Sequence, residues 1–385
     1  MLAVFLSNKL ISTDAVVPLM LSVKRASPGL KIRFYSFHEP TCRDVQTNIV
    51  LWDALTHVGE FVCLGCSNRG LGRLAHRVRV VWHLFILFLW GLAGRLRLLH
   101  FKQLNEGAPS WLARLFDRKT VFMESNCWGY HKLMIEQIGN IGQKRVVSAK
   151  PGRGSTLVGF SHDWPELAHP QNATKTKLVV PSTHLATAWQ DFVQDRADDY
   201  IKTDFARAGL PYEGRYLVFI LGYFGKFRFF DTDQTMLDLF RETLDVLNEH
   251  ASAIPVLIKP HVITDMDVVH AELAKRPNIK AVISNLHPAV LSTRAVAFIA
   301  NYYSTTFADA HSFQVPTIEY TGYNRAALEL TKGGSMRPEL VTHFVNSNRQ
   351  RFVTALDETI SRPGVAIRPA ARDEELEPVV RLLAS

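Results

Sequence analysis

The feature that most constrains this chain is an alternation of short apolar, β-rich runs with helical stretches along most of its length. In the first half, Leu2 to Leu6, Ile32 to Ser36, Phe61 to Leu64, Lys119 to Met123, Leu157 to Gly159 and Leu178 to Pro181 read as strands. A Gly/Pro cluster at Ala208 to Arg215 interrupts the series. It then begins again with Tyr216 to Leu221, Val256 to Ile258, Lys280 to Ser284, Val296 to Ala300 and Pro316 to Tyr320. Such alternation predicts parallel sheets covered by helices. Two series in 385 residues predict an α/β chain of two facing Rossmann-like domains, residues 1–207 and 208–385. Ligands of open α/β sheets bind beyond the carboxyl ends of the strands, so the expected active site is the cleft between the halves.

Composition narrows the class. With 47% hydrophobic and 21% charged residues the chain is neither disordered, collagen-like nor a coiled coil. Four cysteines are too few for a disulfide scaffold at this length and fit a reducing compartment. Cys63 and Cys66 have C-x-x-C spacing, but no second pair follows at zinc-site distance, so they read as structural and no metal is expected.

The formal net charge of +8 favours a partner that is nucleic acid, anionic lipid or a phosphate-bearing small molecule. Part of the excess is local, for between Arg69 and Lys119 only Glu106 and Asp117 oppose the basic residues. The same stretch holds the most apolar run, Val80 to Gly94. Its fifteen residues fall short of the roughly 20 a spanning helix needs. Two readings stay open. One is an interfacial helix near residues 76–100, carrying Trp82, Phe85, Phe88 and Trp90 against the inner-membrane surface, and the other is a buried helix of the first domain. Met1 to Val23 lacks a basic leader and reads as a strand and helix, so a cytoplasmic or peripheral membrane location is expected. Nucleic acid is not an expected partner, because no zinc or helix-turn-helix signature accompanies the basic charge.

Three segments of the second half place polar residues where a strand ends. Gly222, Gly225 and Lys226 follow Tyr216 to Leu221; the glycines let backbone approach a ligand and the lysine adds charge. Lys259-Pro260-His261 ends the next strand, and an imidazole there can donate to a phosphate oxygen or a leaving group. Ser304, Thr305 and Thr306 follow Val296 to Ala300 and open a helix, where hydroxyls and N–H groups suit an anion. The same hydroxyls also serve as ordinary helix caps.

Lys-Pro-His after one strand, Ser-Thr-Thr opening a helix some forty residues later, then Val-Pro-Thr-Ile-Glu-Tyr (Val315 to Tyr320), resembles the donor half of a GT-B glycosyltransferase. More narrowly it is similar to bacterial sialyltransferases and polysialyltransferases, capsule Kdo transferases and CDP-glycerol polymerases. The resemblance covers residues 176–325 and implies that His261, Ser304 and Thr305 hold a nucleotide phosphate. It departs from those families in one place: Val262 follows His261 where proline is usual. The resemblance further implies an inverting, metal-independent transferase with no cofactor beyond its nucleotide-sugar substrate. The favoured donor is a CMP-linked acidic sugar, and the acceptor a cell-surface or lipid-linked glycan. A base from the first half deprotonates the attacking hydroxyl in such chemistry; Glu124 and Asp163, each beyond a strand, are the candidates. Rival readings are a CDP-glycerol-type transferase, a non-hydrolysing UDP-sugar 2-epimerase and a membrane-associated scaffold.

Overall fold

The computed structural model describes residues 1–65, 71–105, 109–126, 151–162, 164–212, 214–225, 229–231, 235–361 and 371–385. These form two compact units. The first comprises residues 1–126, 151–192 and 371–385, and the second residues 193–361.

The first unit is built on seven parallel strands: β1 Leu2–Phe5, β2 Ile32–Ser36, β3 Glu60–Cys63, β4 Arg97–His100, β5 Thr120–Met123, β6 Thr156–Gly159 and β7 Thr176–Val179. Their order across the sheet is β3-β2-β1-β4-β5-β6-β7. All four residues of β1 are buried, which is why they read as one apolar run rather than an alternation. Register is set on both sides, with Val4 opposite Phe34 on β2 and Leu99 on β4. Strand β4 escaped the sequence reading because its four residues begin with Arg97, inside the basic cluster.

The second unit carries six parallel strands: β8 Tyr216–Ile220, β9 Val256–Lys259, β10 Ala281–Ile283, β11 Ala295–Ala300, β12 Thr317–Thr321 and β13 His343–Asn346, in the order β10-β9-β8-β11-β12-β13. The helix Met236–His250 starts at a capping box in which Thr235 and Asp238 satisfy each other's backbone N–H groups. Its buried Leu239, Phe240 and Leu247 pack on Leu217 and Phe219 of β8. In both sheets the chain order reverses beside the first strand, between β1 and β4 and between β8 and β11. Such a switch point is where neighbouring connections leave to opposite faces and open a crevice.

The division differs from a simple cut at residue 208 in two ways. The chain passes from one unit to the other within the helix Thr187–Arg207. The final helix, Asp373–Ala384, packs on the helix Leu10–Ala26 and so belongs to the first unit. Its buried Leu376, Val379, Val380 and Leu383 recur at helical spacing and supply the apolar face that does this.

The cysteine reading is corrected in part: Cys63 is structural, but it is held in a disulfide rather than reduced. Cys63, at the end of β3, is disulfide-bonded to Cys42 in the helix Glu39–Thr47, with 6.0 Å between the Cα atoms. The pairing is therefore set by the β2–β3 crossover rather than by the C-x-x-C spacing, and Cys66 lies outside the described residues. A bond between thiols is not what a reducing compartment favours.

Candidate functional site

The switch point of the second sheet gathers the segments that the sequence singles out. β8 lies between β9 and β11, so the loops after these three strands emerge side by side. With strands about 4.8 Å apart, the ends of β9 and β11 stand about 10 Å from each other, a gap that side chains on both sides can close on a phosphate group. Ile220 is opposite Lys259 on one side and Ala300 on the other, so the three strands end on one rung.

Local bonds tie the loops together. The Thr264 hydroxyl donates to the Gly222 carbonyl at 3.0 Å, and accepts from the His261 backbone N–H at 2.9 Å. The loop after β9 is thereby pinned to the end of β8. The imidazole itself is exposed; its Nδ1 accepts from the Ile263 N–H at 3.4 Å. On the other side the Tyr302 ring lies close against Gly222. A Cβ at residue 222 would come within 2.8 Å of that ring. The glycine gives the Tyr302 side chain its room. Gly225 follows, and Lys226 lies outside the described residues.

The loop after β11 is held from below. The buried Asn301 amide donates to the Thr243 hydroxyl at 2.8 Å and to the Tyr320 carbonyl at 3.2 Å. The Tyr303 N–H donates to the Tyr323 hydroxyl at 3.1 Å. Tyr323 is in turn bonded to the buried carboxyl of Glu319 on β12, which also accepts from the Ser335 hydroxyl at 2.5 Å. Burial pushes the Glu319 pKa up to about 7. Ser304, Thr305 and Thr306 stand half-buried at the mouth. The Ser304 hydroxyl accepts from the Thr306 N–H at 3.2 Å, so it caps the turn. The helix that follows, Phe307–Ser312, has six residues, so its dipole is short and charge must come largely from side chains.

Lys259 supplies it. Desolvation by burial lowers its pKa to about 8, opposed by the carboxylates of Asp204 and Asp309. Asp204, on the helix Thr187–Arg207, accepts from the Ser284 hydroxyl at 2.5 Å and is itself raised by burial. A partly buried ammonium at the end of β9 brings positive charge to the rung where the three strands end, and such charge can stabilise a departing phosphate. Asn301, Tyr302 and Glu319 lie within segments that the sequence singles out but carry no individual role there, and Thr264 lies outside those segments. Thr264 alone left a signal, a hydroxyl three residues beyond His261 in the spacing of a side-chain-capped turn.

In the first unit, Glu124 directly follows β5. Its Oε2 accepts the Phe160 N–H at 2.7 Å, and its own N–H donates to Val158, so the residue ties β5 to β6. It stands one strand away from the β1/β4 switch point. Asp163 lies outside the described residues.

Solved structures share this architecture. A complex of S. aureus MnaA with UDP matches with a TM-score of 0.54 at 11% identity, over 98% of this chain and 94% of that one. The Methanocaldococcus jannaschii UDP-GlcNAc 2-epimerase, in complex with UDP-GlcNAc and UDP, matches at 0.51 and 13% identity, over 99% of each chain. The fold is GT-B. A UDP-glucosyltransferase from Polygonum tinctorium capable of glucosylating indoxyl also aligns, with a TM-score of 0.48 at 11% identity over 100% of this chain and 98% of that one. No family model matches the sequence, and no curated protein does either.

Proposed function

We propose that this chain is an enzyme that binds a nucleotide-activated sugar at the β8/β9/β11 strand ends and transfers the sugar to a glycan or lipid-linked acceptor. One observation carries the reading: Lys259 and His261 at the end of β9, and Ser304 and Thr305 beyond β11, distant in sequence, flank the end of β8 at a switch point. In this reading His261 and the Ser304 and Thr305 hydroxyls donate to the phosphate, and Lys259 offsets its charge as the sugar–oxygen bond breaks. Glu124 is the proposed base for the acceptor hydroxyl, its carboxylate oriented by the Phe160 N–H. The sequence resemblance favours a CMP-linked acidic sugar.

A second reading has its own support. The S. aureus and M. jannaschii structures, each with a TM-score above 0.5, both hold UDP ligands, and the latter is a UDP-GlcNAc 2-epimerase. An epimerase would use the same phosphate site with no acceptor. The experiment is to measure the unfolding midpoint with CMP, CDP and UDP, then incubate the protein with the matching sugar nucleotide. A midpoint raised by one nucleotide supports the site. Nucleotide release that requires added acceptor supports transfer, and acceptor-free isomerisation of UDP-GlcNAc supports the epimerase. No midpoint change with any nucleotide overturns both.

A further inference from the structure

The helix Leu71–Leu92 is apolar on two faces, and one of them is covered. Leu84 and Leu87 are buried with Phe5, Tyr35 and Leu98 in the core of the first unit, and Gly91 lies against the ring of Phe116. On the other face Leu74, Val78, Val81, Trp82, Phe85, Leu89 and Leu92 are 47% to 65% exposed. At about 100° per residue these seven fall within about 100° of arc, a continuous stripe along the helix. Leu115 is also exposed, next in the chain to the Phe116 that packs on Gly91. A stripe of this size is not ordinary surface.

Its charge surroundings select the partner. No Asp or Glu occurs between Glu60 and Glu106. Exposed Arg77 and Arg79 lie towards one end of the helix, and Arg95 just beyond the other, with Arg114 and Arg118 beside Phe116. We infer that this face seats in the interfacial region of an anionic phospholipid bilayer, with the helix in the membrane plane. The apolar stripe enters the acyl boundary while the guanidinium groups meet headgroup phosphates. By length and composition the segment Leu74–Leu92 is able to cross a membrane, but its inner face is committed to the core of the first unit, so it lies flat. A second copy is a poorer occupant. Pairing this face with itself would oppose the arginines of the helix and its flanks to one another, with no carboxylate among residues 61–105 to separate them. A lipid-carried acceptor would follow from this seating, and that corollary alone rests on the transfer reading.

The test is co-sedimentation of the full chain with vesicles of phosphatidylcholine alone or mixed with phosphatidylglycerol. The wild type should partition to the mixed vesicles and be released by salt, with the Trp82 region shifted to shorter-wavelength fluorescence. The triple variant Trp82→Ser, Phe85→Ser, Leu89→Ser should lose binding by more than about tenfold. Arg77→Gln, Arg79→Gln, Arg95→Gln should lose about fivefold per arginine, roughly a hundredfold together. Because the two sets act on different forces, failure of one to fold leaves the other as the test. Wild type that stays in the supernatant with mixed vesicles overturns the inference, as does undiminished, wild-type binding by both variants. A lipid-free dimer in light scattering that the Trp82 set abolishes also overturns it, in favour of a protein partner. Nucleotide affinity is read separately and should be unchanged in both sets.

Discussion

Glu319 is a carboxyl with no exposed surface, in the middle of a central strand, and replacing it with glutamine should change how stability depends on pH. Its folded pKa is about 7, against an ordinary 4.5. Below pH 4.5 the group is protonated whether the chain is folded or not, and its contribution is constant. Between 4.5 and 7 the unfolded chain releases the proton and the folded chain keeps it, so stability falls by about 1.4 kcal/mol per pH unit. Above 7 both states are ionised and the loss is complete, at about 3 kcal/mol. Glu319→Gln cannot ionise, while its amide oxygen can still accept from Ser335. Urea unfolding of both proteins at pH 5 and pH 8 cancels every other titrating group in the double difference. The wild type should lose about 2.5 kcal/mol more than the variant on going from pH 5 to pH 8. Parallel losses would show that the carboxyl is not held neutral by its burial, and the chain from Ser335 through Tyr323 to the Tyr303 N–H would need another explanation.

The remaining predictions concern the site. Lys259 is mostly charged at pH 7 and mostly neutral at pH 9, so nucleotide affinity by calorimetry should fall about tenfold per unit above pH 8. Lys259→Met should bind more weakly at pH 7 and show a flat profile between pH 7 and 9. Glu124→Gln should leave nucleotide affinity unchanged and lower kcat by about 10²-fold or more, the range expected for a lost general base. Gly222→Ala must displace the Tyr302 ring, costing about 1–3 kcal/mol in denaturant unfolding. Asn301→Ala leaves the Thr243 hydroxyl and the Tyr320 carbonyl without their donor, and should cost about 1–3 kcal/mol.

Much of this was legible in the sequence because buried parallel strands write themselves as apolar runs. β1 and β8 are apolar from end to end. Their switch points follow from strand order, which depends on long-range pairing and leaves no local mark. β4 and β13 were missed for a related reason: RLLH and HFVN are four residues long and begin with Arg97 and His343, so neither stands out from its surroundings. The site was half visible. Residues at strand ends, such as His261 and Ser304, announce themselves by interrupting an apolar run. Asn301 and Glu319 hold the loop through bonds to partners up to 62 positions away, and nothing beside them in the chain marks that role. The surface stripe on Leu71–Leu92 was ambiguous because burial and exposure of an apolar helix look alike in sequence. Only the packing of Leu84 and Leu87 separates its two faces.

The most direct measurement is a crystal structure of the protein with bound UDP or CMP. The account predicts phosphate oxygens within about 3 Å of the Ser304 and Thr305 hydroxyls and of the His261 ring. A nucleotide seated elsewhere, for instance in the polar pocket of the first unit beside Asn105, Arg153 and Lys175, would contradict it.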